Sequence, residues 1–172
     1  ELIEKFNYKN SNLILGQSNE IINHINNISD KKTFLYRNLQ KSIKIKKSKK
    51  INKIIYAGLL GVAQGIYELI KNIDFKKIGV ELDIYGDGNE LKKILKYISE
   101  NPSSNINYKG FLSKEKIDEK IGHYHSALVP LKTKILGAVP SKIFELIKAE
   151  VPIIYVGDKG EAFDLVRNWK VG

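Results

Sequence analysis

Ile54-Ile55-Tyr56-Ala57-Gly58-Leu59-Leu60-Gly61-Val62-Ala63-Gln64-Gly65, residues 54–65, hold the pattern from which the fold is read. An apolar, β-prone run enters a glycine-rich loop, and the loop enters a helical pattern that continues through Ile73. Strand, tight loop and helix in that order open a βα unit. Working outward, the alternation is regular: strand 53–57, helix 62–73, strand 78–85, helix 89–99, strand 106–109, helix 113–121, strand 127–130, helix 141–148, strand 153–156 and helix 161–167. Strands alternating with helices of this length need crossover connections. They therefore predict an α/β domain with a Rossmann-like parallel sheet and helices on both faces. Ligands of such sheets sit beyond the carboxyl ends of the strands, so chemistry is sought in the loops that follow strands.

Before this run, residues 12–37 read as one more strand, helix and strand, with Ser18 placed to cap a helix through Ile28. Between the two parts, lysine recurs at nearly every second position of 38–50 with little that could enter a core, as in a linker or an exposed edge. The organisation expected is therefore 1–40 as an extra α/β unit, 41–50 as a Lys-rich linker, and 51–172 as the main domain.

The 172 residues are 42% hydrophobic, enough for a folded core. No apolar run nears the roughly 20 residues of a membrane span, and the first residues lack the pattern of a signal peptide, so a cytoplasmic domain is expected. The absence of cysteine excludes disulfides and thiolate metal sites. A start at Glu1 with no methionine reads as an excised piece of a longer chain, or as a chain whose methionines were replaced. A formal charge of +10 raises nucleic acid or an anionic membrane as partners. Ten of the 29 basic residues, however, lie in 31–53, which has no acid, and the rest just balance the 19 acids. The basicity belongs to one segment.

Three loops could carry chemistry. In the first, Gly58 and Gly61 allow backbone to approach a ligand, and the following helix start favours an anion; a plain tight turn explains the same residues. In the second, Gly86-Asp87-Gly88, an abrupt turn with Asn89 capping the next helix suffices. The third, Gly137-Ala138-Val139-Pro140-Ser141-Lys142-Ile143-Phe144-Glu145, says most. Pro140 suits a helix start. Free amides, the Ser141 hydroxyl and the Lys142 ammonium together match a phosphate. Glu145 lies four residues beyond Ser141, one too many for a capping box. It is placed to accept hydrogen bonds from sugar hydroxyls, or else pairs on the surface with Lys142 or Lys148. His123 and His125, two apart on a strand, would face opposite sides and cannot easily chelate together; His24 sits among asparagines.

Taken in order, Tyr56 to Gly65, Leu82-Asp83-Ile84-Tyr85-Gly86-Asp87-Gly88, Tyr108-Lys109-Gly110-Phe111-Leu112, Ala127-Leu128-Val129-Pro130-Leu131, Pro140 to Glu145 and Val151-Pro152-Ile153-Ile154-Tyr155 resemble the C-terminal domain of family-4 glycosyltransferases with the GT-B fold. The resemblance covers 51–172 and is nearest to bacterial sugar transferases of capsule, O-antigen or exopolysaccharide assembly. Ile14-Leu15-Gly16-Gln17-Ser18 and Leu35-Tyr36-Arg37-Asn38 resemble the last unit of the family's N-terminal domain, and the last helices of its C-terminal domain would lie beyond 172.

The resemblance implies one half of a GT-B enzyme that binds a nucleoside-diphosphate sugar, UDP-linked by preference, and works with retention, without a tightly bound metal or other cofactor. The acceptor, a saccharide or lipid-linked saccharide, would be held by the other domain, at the inner face of the membrane where lipid-linked. This half alone would be inactive. Glu145 would match the second acid of the family's E-x7-E motif and hold the ribose. Val139, Pro140, Ser141 and Lys142 would hold the diphosphate, with Lys142 and Glu145 as the catalytic pair. The backbone of Phe111 and Leu112 would meet the base, and Gly58, Gly61 and Gln64 would line the donor site. Two departures from the family stand out: its first acid would fall at Gly137, and Leu59 and Gln64 stand where many relatives carry Arg and Lys. The alternative is a non-catalytic Rossmann-like module whose basic segment engages nucleic acid or an anionic membrane; under the enzyme reading no nucleic acid is expected.

Overall fold

The computed structural model of the protein describes residues 2–37, 50–133 and 135–172. The chain begins with helix α1 (Leu2–Lys9), strand β1 (Ile14–Gly16), helix α2 (Asn19–Ile28) and strand β2 (Thr33–Leu35), and β1 and β2 pair in parallel as a separate two-stranded sheet. Strands β3 (Ile51–Ala57), β4 (Glu81–Tyr85), β5 (Ile106–Tyr108), β6 (Tyr124–Leu131) and β7 (Ile153–Gly157) form the main sheet. All its pairings are parallel, in the order β5-β4-β3-β6-β7. The connecting helices are α3 (Ile66–Asn72), α4 (Leu91–Glu100), α5 (Lys114–Ile121) and α6 (Ser141–Lys148), and α7 (Glu161–Asn168) follows β7.

Successive strand residues serve opposite faces, which is why the strands read as near-continuous apolar runs. Ile55, Tyr85, Ala127 and Val129 pack with Ile117 and Ile121 of α5, Ile143 and Leu146 of α6, and Ala162 and Val166 of α7. Tyr56, Leu82, Ile84 and Leu128 pack on the other side with Ile66 and Ile70 of α3 and Ile94 of α4. Strand order reverses at β3, where the chain leaves toward β4 and β5 on one side and β6 and β7 on the other. The crevice at such a reversal is where a doubly wound sheet offers a ligand site.

Several boundaries differ from the sequence reading. Helix α1 lies where none was read. α3 starts at Ile66 instead of 62, because Gln64 and Gly65 both donate their amides to the Gly61 carbonyl at 3.2 Å, and Gly65 takes φ 68. β4 starts at Glu81, since the Val80 amide turns back to the Phe75 carbonyl and leaves Ile78 outside. β6 starts three residues earlier than 127. Asn89 is not the cap of α4; Glu90 occupies that position, buried, with its amide on the Leu60 carbonyl at 2.9 Å. Of the Lys-rich segment, 41–49 lies outside the described residues.

The small sheet is tied to the large one through α2. Its first amides all find partners: Asn19 N donates to Glu161 Oε1 at 2.9 Å, Glu20 N to Glu161 Oε2 at 3.1 Å, and Ile21 N to Ser18 Oγ at 3.1 Å. Arg37 bonds Glu161 Oε1 through Nη2 and the Gln17 carbonyl through Nη1 at 2.8 Å. Glu161 is also the first residue of α7, so one carboxylate serves two helix starts, where the helix dipole favours a negative charge. Burial by itself would raise the Glu161 carboxyl; the Asn19 and Glu20 amides and the Arg37 guanidinium outweigh it and hold the group below its usual range.

Candidate functional site

A cleft of about 750 Å³ opens beyond the carboxyl ends of β3, β4 and β5. Its wall comes from the β3 loop (Gly58, Leu59), the β4 loop (Tyr85 through Gly88), the β5 loop (Phe111, Leu112), the start of α5 (Lys114, Ile117) and the start of α6 (Lys142, Glu145). Each belongs to a segment that follows a strand.

The β3 and β4 loops are zipped together. Gly58 N donates to the Tyr85 carbonyl at 3.1 Å, and Leu60 N to the Asp87 carbonyl at 2.8 Å. A Cβ on Gly86 would stand 1.9 Å from the Gly58 carbonyl oxygen, and one on Gly88 2.5 Å from that of Leu60. With φ of 145 and 156, both positions call for glycine twice over, by space and by backbone. The Gly-Asp-Gly turn is thus the contact surface of the neighbouring loop. The buried Tyr56 hydroxyl props the same loop by donating to the Leu59 carbonyl at 2.6 Å, and burial pushes its ionisation up, so it remains a donor at neutral pH.

Tyr85 is anchored below the cleft: its hydroxyl lies 3.2 Å from that of Tyr124, which donates to the buried Asp83 carboxylate at 2.9 Å. Asn107 Nδ2 donates to the other Asp83 oxygen at 3.1 Å.

On the opposite wall, Ile143, Phe144 and Leu146 bury the core face of α6. Lys142 and Glu145, three apart, therefore share the face turned to the cleft. Lys142 Nζ lies 2.5 Å from Glu145 Oε2, and Lys114 Nζ reaches the other oxygen, Oε1, at 3.8 Å. Glu145 is only 15% exposed, so this pairing is better shielded than an ordinary surface ion pair. The bond to Lys142 is the structural partner that the sequence reading offered as the alternative to a ligand role; here the pair sits in the cleft wall.

Of the residues singled out from the sequence, Gly58, Phe111, Leu112, Lys142 and Glu145 line the cleft, while Gly61, Gln64, Val139, Pro140 and Ser141 do not form its wall. Gly61 is buried and Gln64 folds back behind it, with Oε1 buried and without a hydrogen-bond partner. Val139 packs on the core, and Pro140 supplies the α6 cap through its carbonyl, 3.0 Å from Ile143 N. Ser141 is exposed at the helix start.

Lys114 and Tyr85 were missed, and Asp87, read as part of a turn, also lines the cleft. Lys114 was within reach of the same rule, being the first helical residue after a strand and its loop. His123 and His125 are both exposed, and His24 meets Glu4 at 3.0 Å. Among the described residues no group of three or more His, Asp or Glu could hold a metal ion, and no helix is long and apolar enough to cross a membrane.

Chemically, the cleft combines exposed apolar surface at Leu59 and Phe111, glycine backbone, two ammonium groups and a shielded carboxylate. Sheet order and cleft position define a Rossmann-like α/β domain that is one half of a GT-B fold.

Solved structures with this architecture include the pneumococcal O-GlcNAc transferase GtfA in complex with UDP and GlcNAc (18% identity, 89% of this chain, 31% of that chain, TM-score 0.70). Others are Staphylococcus aureus TarM (21% identity, 90% and 31% of the two chains, TM-score 0.71) and Anabaena HepE in complex with UDP (15% identity, 92% and 48%, TM-score 0.72). The chain thus spans from just under a third to just under a half of the length of these proteins. No protein-family model matches it, and no curated protein matches it by sequence.

Proposed function

We propose that this chain is the donor-binding half of a family-4-like glycosyltransferase, with 51–172 holding a nucleoside-diphosphate sugar and 1–40 forming the edge of the acceptor half. The observation that carries the reading is the start of α6 facing a cleft at the carboxyl edge of the sheet, with Lys142 and Glu145 both in its wall. A helix start and an ammonium suit a diphosphate, and a carboxylate one turn further along suits the hydroxyls of the attached ribose.

Phe111 and Leu112 offer the base an apolar floor beside free backbone. A leaving diphosphate would be stabilised electrostatically by Lys142 and the helix terminus, without need of a metal ion or other cofactor. Retention at the sugar carbon, a saccharide or lipid-linked acceptor brought by the other half, and a place in surface polysaccharide assembly at the cytoplasmic face of the membrane complete the proposal. UDP is the preferred nucleotide, in keeping with the UDP complexes of GtfA and HepE.

Calorimetric titration with UDP, GDP and ADP is the test. UDP should bind most tightly and raise the melting temperature. Glu145→Ala should weaken it by about tenfold, the scale of a charged hydrogen bond, while His123→Ala should leave it unchanged. Equal effects of the two substitutions would refute the site.

A further inference from the structure

We propose that Lys114 is the second cation of this cleft, and that Lys114 and Lys142 exchange the Glu145 carboxylate for an entering diphosphate. The inference rests on the function proposed above and names a specificity-determining residue within it.

Charge is the first argument. The first loop brings only the uncharged Gly58 and Leu59 to the wall, and Gln64 is not part of it. Among the described residues, the charged groups in the wall are Lys114, Lys142, Glu145 and Asp87. With Lys142 as the only cation they would sum to a net negative charge, which repels a diphosphate; Lys114 brings them to neutrality.

Geometry is the second. The two ammonium groups approach different oxygens of one carboxylate, at 3.8 and 2.5 Å. An anion as small as a carboxylate already bridges them, so a diphosphate, longer and more highly charged, meets both.

Location is the third. Lys114 is the first residue of α5, where the positive end of the helix dipole disfavours a cation by about 0.3–1 kcal/mol. Glu145, reaching over from α6, offsets that repulsion.

The exchange gives each group a task. Once the diphosphate neutralises the lysines, Glu145 no longer serves as their counter-ion, and its oxygens are free to accept from the ribose hydroxyls. Nucleotide affinity is then coupled to the length of the phosphate chain through Lys114, while nucleoside contacts run through Glu145 and the Phe111 loop.

The test is calorimetry on the 172-residue chain with UDP, UMP, uridine and inorganic pyrophosphate. Lys114→Gln should weaken UDP about tenfold, the scale of one charge-assisted contact. It should weaken UMP less and change uridine by under about twofold. Lys114→Arg should retain most of the UDP affinity, and Lys116→Gln, exposed on the same helix, should change nothing. Glu145→Gln should strengthen pyrophosphate binding, because the competing carboxylate is gone.

If Lys114→Gln leaves UDP within twofold of wild type while Lys142→Gln weakens it, the inference fails and the donor-site reading stands. Equal loss of UDP and uridine would make Lys114 a structural prop and overturn it. So would weaker pyrophosphate binding in Glu145→Gln. Wild-type protein that binds neither UDP, GDP nor ADP would remove the donor-site reading and this inference together.

Discussion

Glu161→Gln should detach the small N-terminal sheet from the main domain. The wild-type carboxylate receives Asn19 N and Asn19 Nδ2 on Oε1 at 2.9 and 3.2 Å, Glu20 N on Oε2 at 3.1 Å, and the Arg37 guanidinium on Oε1. Glutamine keeps one acceptor oxygen. Its amide nitrogen, in place of the other, meets only donors: the Glu20 amide if Oε1 stays with Asn19 and Arg37, or these if it flips. Either way a donor faces a donor. The side chains of Arg37 and Glu161 are only 13% and 9% exposed, so water screens this little.

Breaking a buried pair by removing one partner costs about 3–5 kcal/mol. The hydrogen bonds glutamine retains reduce this to about 2–4 kcal/mol, by the scale of single bonds to charged groups. If that cost falls on docking, α2 opens more often by a factor of about 30 to 1,000, at tenfold for each 1.4 kcal/mol. Amide hydrogen exchange resolves it: the amides of Asn19–Ile28 should lose protection by that factor, while those of Ile51–Ala57 in the main sheet keep theirs. Protection in α2 within about threefold of wild type would refute the reasoning, and an equal loss in β3 would show that Glu161 serves the whole fold and not the junction.

Three further outcomes follow from named contacts. Gly86→Ala puts a methyl 1.9 Å from the Gly58 carbonyl, so the zipped loops must part; urea unfolding should show about 1–3 kcal/mol of destabilisation, and UDP binding should weaken with it. Gly137→Ala, at φ 69 with Ile21 Cγ1 at 2.3 Å, should also lose about 1–3 kcal/mol by the same measurement, with a loss below about 0.5 kcal/mol counting against the contact. The third concerns pH: Glu161 is held below its ordinary value of 4.5, so its contribution is fully present above that pH and is lost as pH falls through the lowered folded-state value. The stability gap between wild type and Glu161→Gln should therefore be constant from pH 7 to about 5 and shrink below about 4.5, read from urea midpoints at each pH.

The main sheet was legible because its signal is local. Each strand is an apolar run long enough to be buried on both faces, bounded by glycine, proline or a capping residue, and β3 and α6 show this most plainly. Boundaries moved where a local turn overrode the pattern: the helix was read from Val62, but the Gly61 carbonyl gathers the Gln64 and Gly65 amides into a turn first. Of the cleft wall, Lys142 and Glu145 were legible, since helix starts announce themselves in sequence, whereas Val139, Pro140 and Ser141 beside them lie off it. Tyr85 escaped because its place depends on the Tyr124–Asp83 pair, which is not encoded by neighbours in sequence, whereas Lys114, first in its helix after a strand and loop, lay within reach of the same rule as Lys142.

The absence of an acid at position 137 acquires a physical cause from the same contacts. In the sequence, Gly137 is only a departure from the family pattern. In the fold, its amide donates to Glu20 Oε2 at 2.7 Å, and a Cβ there would collide with Ile21 of α2 and its cap Ser18. A side chain at 137 must displace the Ile21 and Ser18 side chains that pack on the loop leading into α6. The loop thus trades a side chain of its own for a hydrogen bond to a carboxylate brought by the N-terminal unit. Glu20 and Glu161 act on the same joint, one at the loop before α6 and one at the start of α7, so α2 fixes the approach to Lys142 and Glu145 without lining their cleft. A change in how the N-terminal unit sits would then reach Lys142 and Glu145 through residues 135–141, which lead into α6 behind the cleft wall.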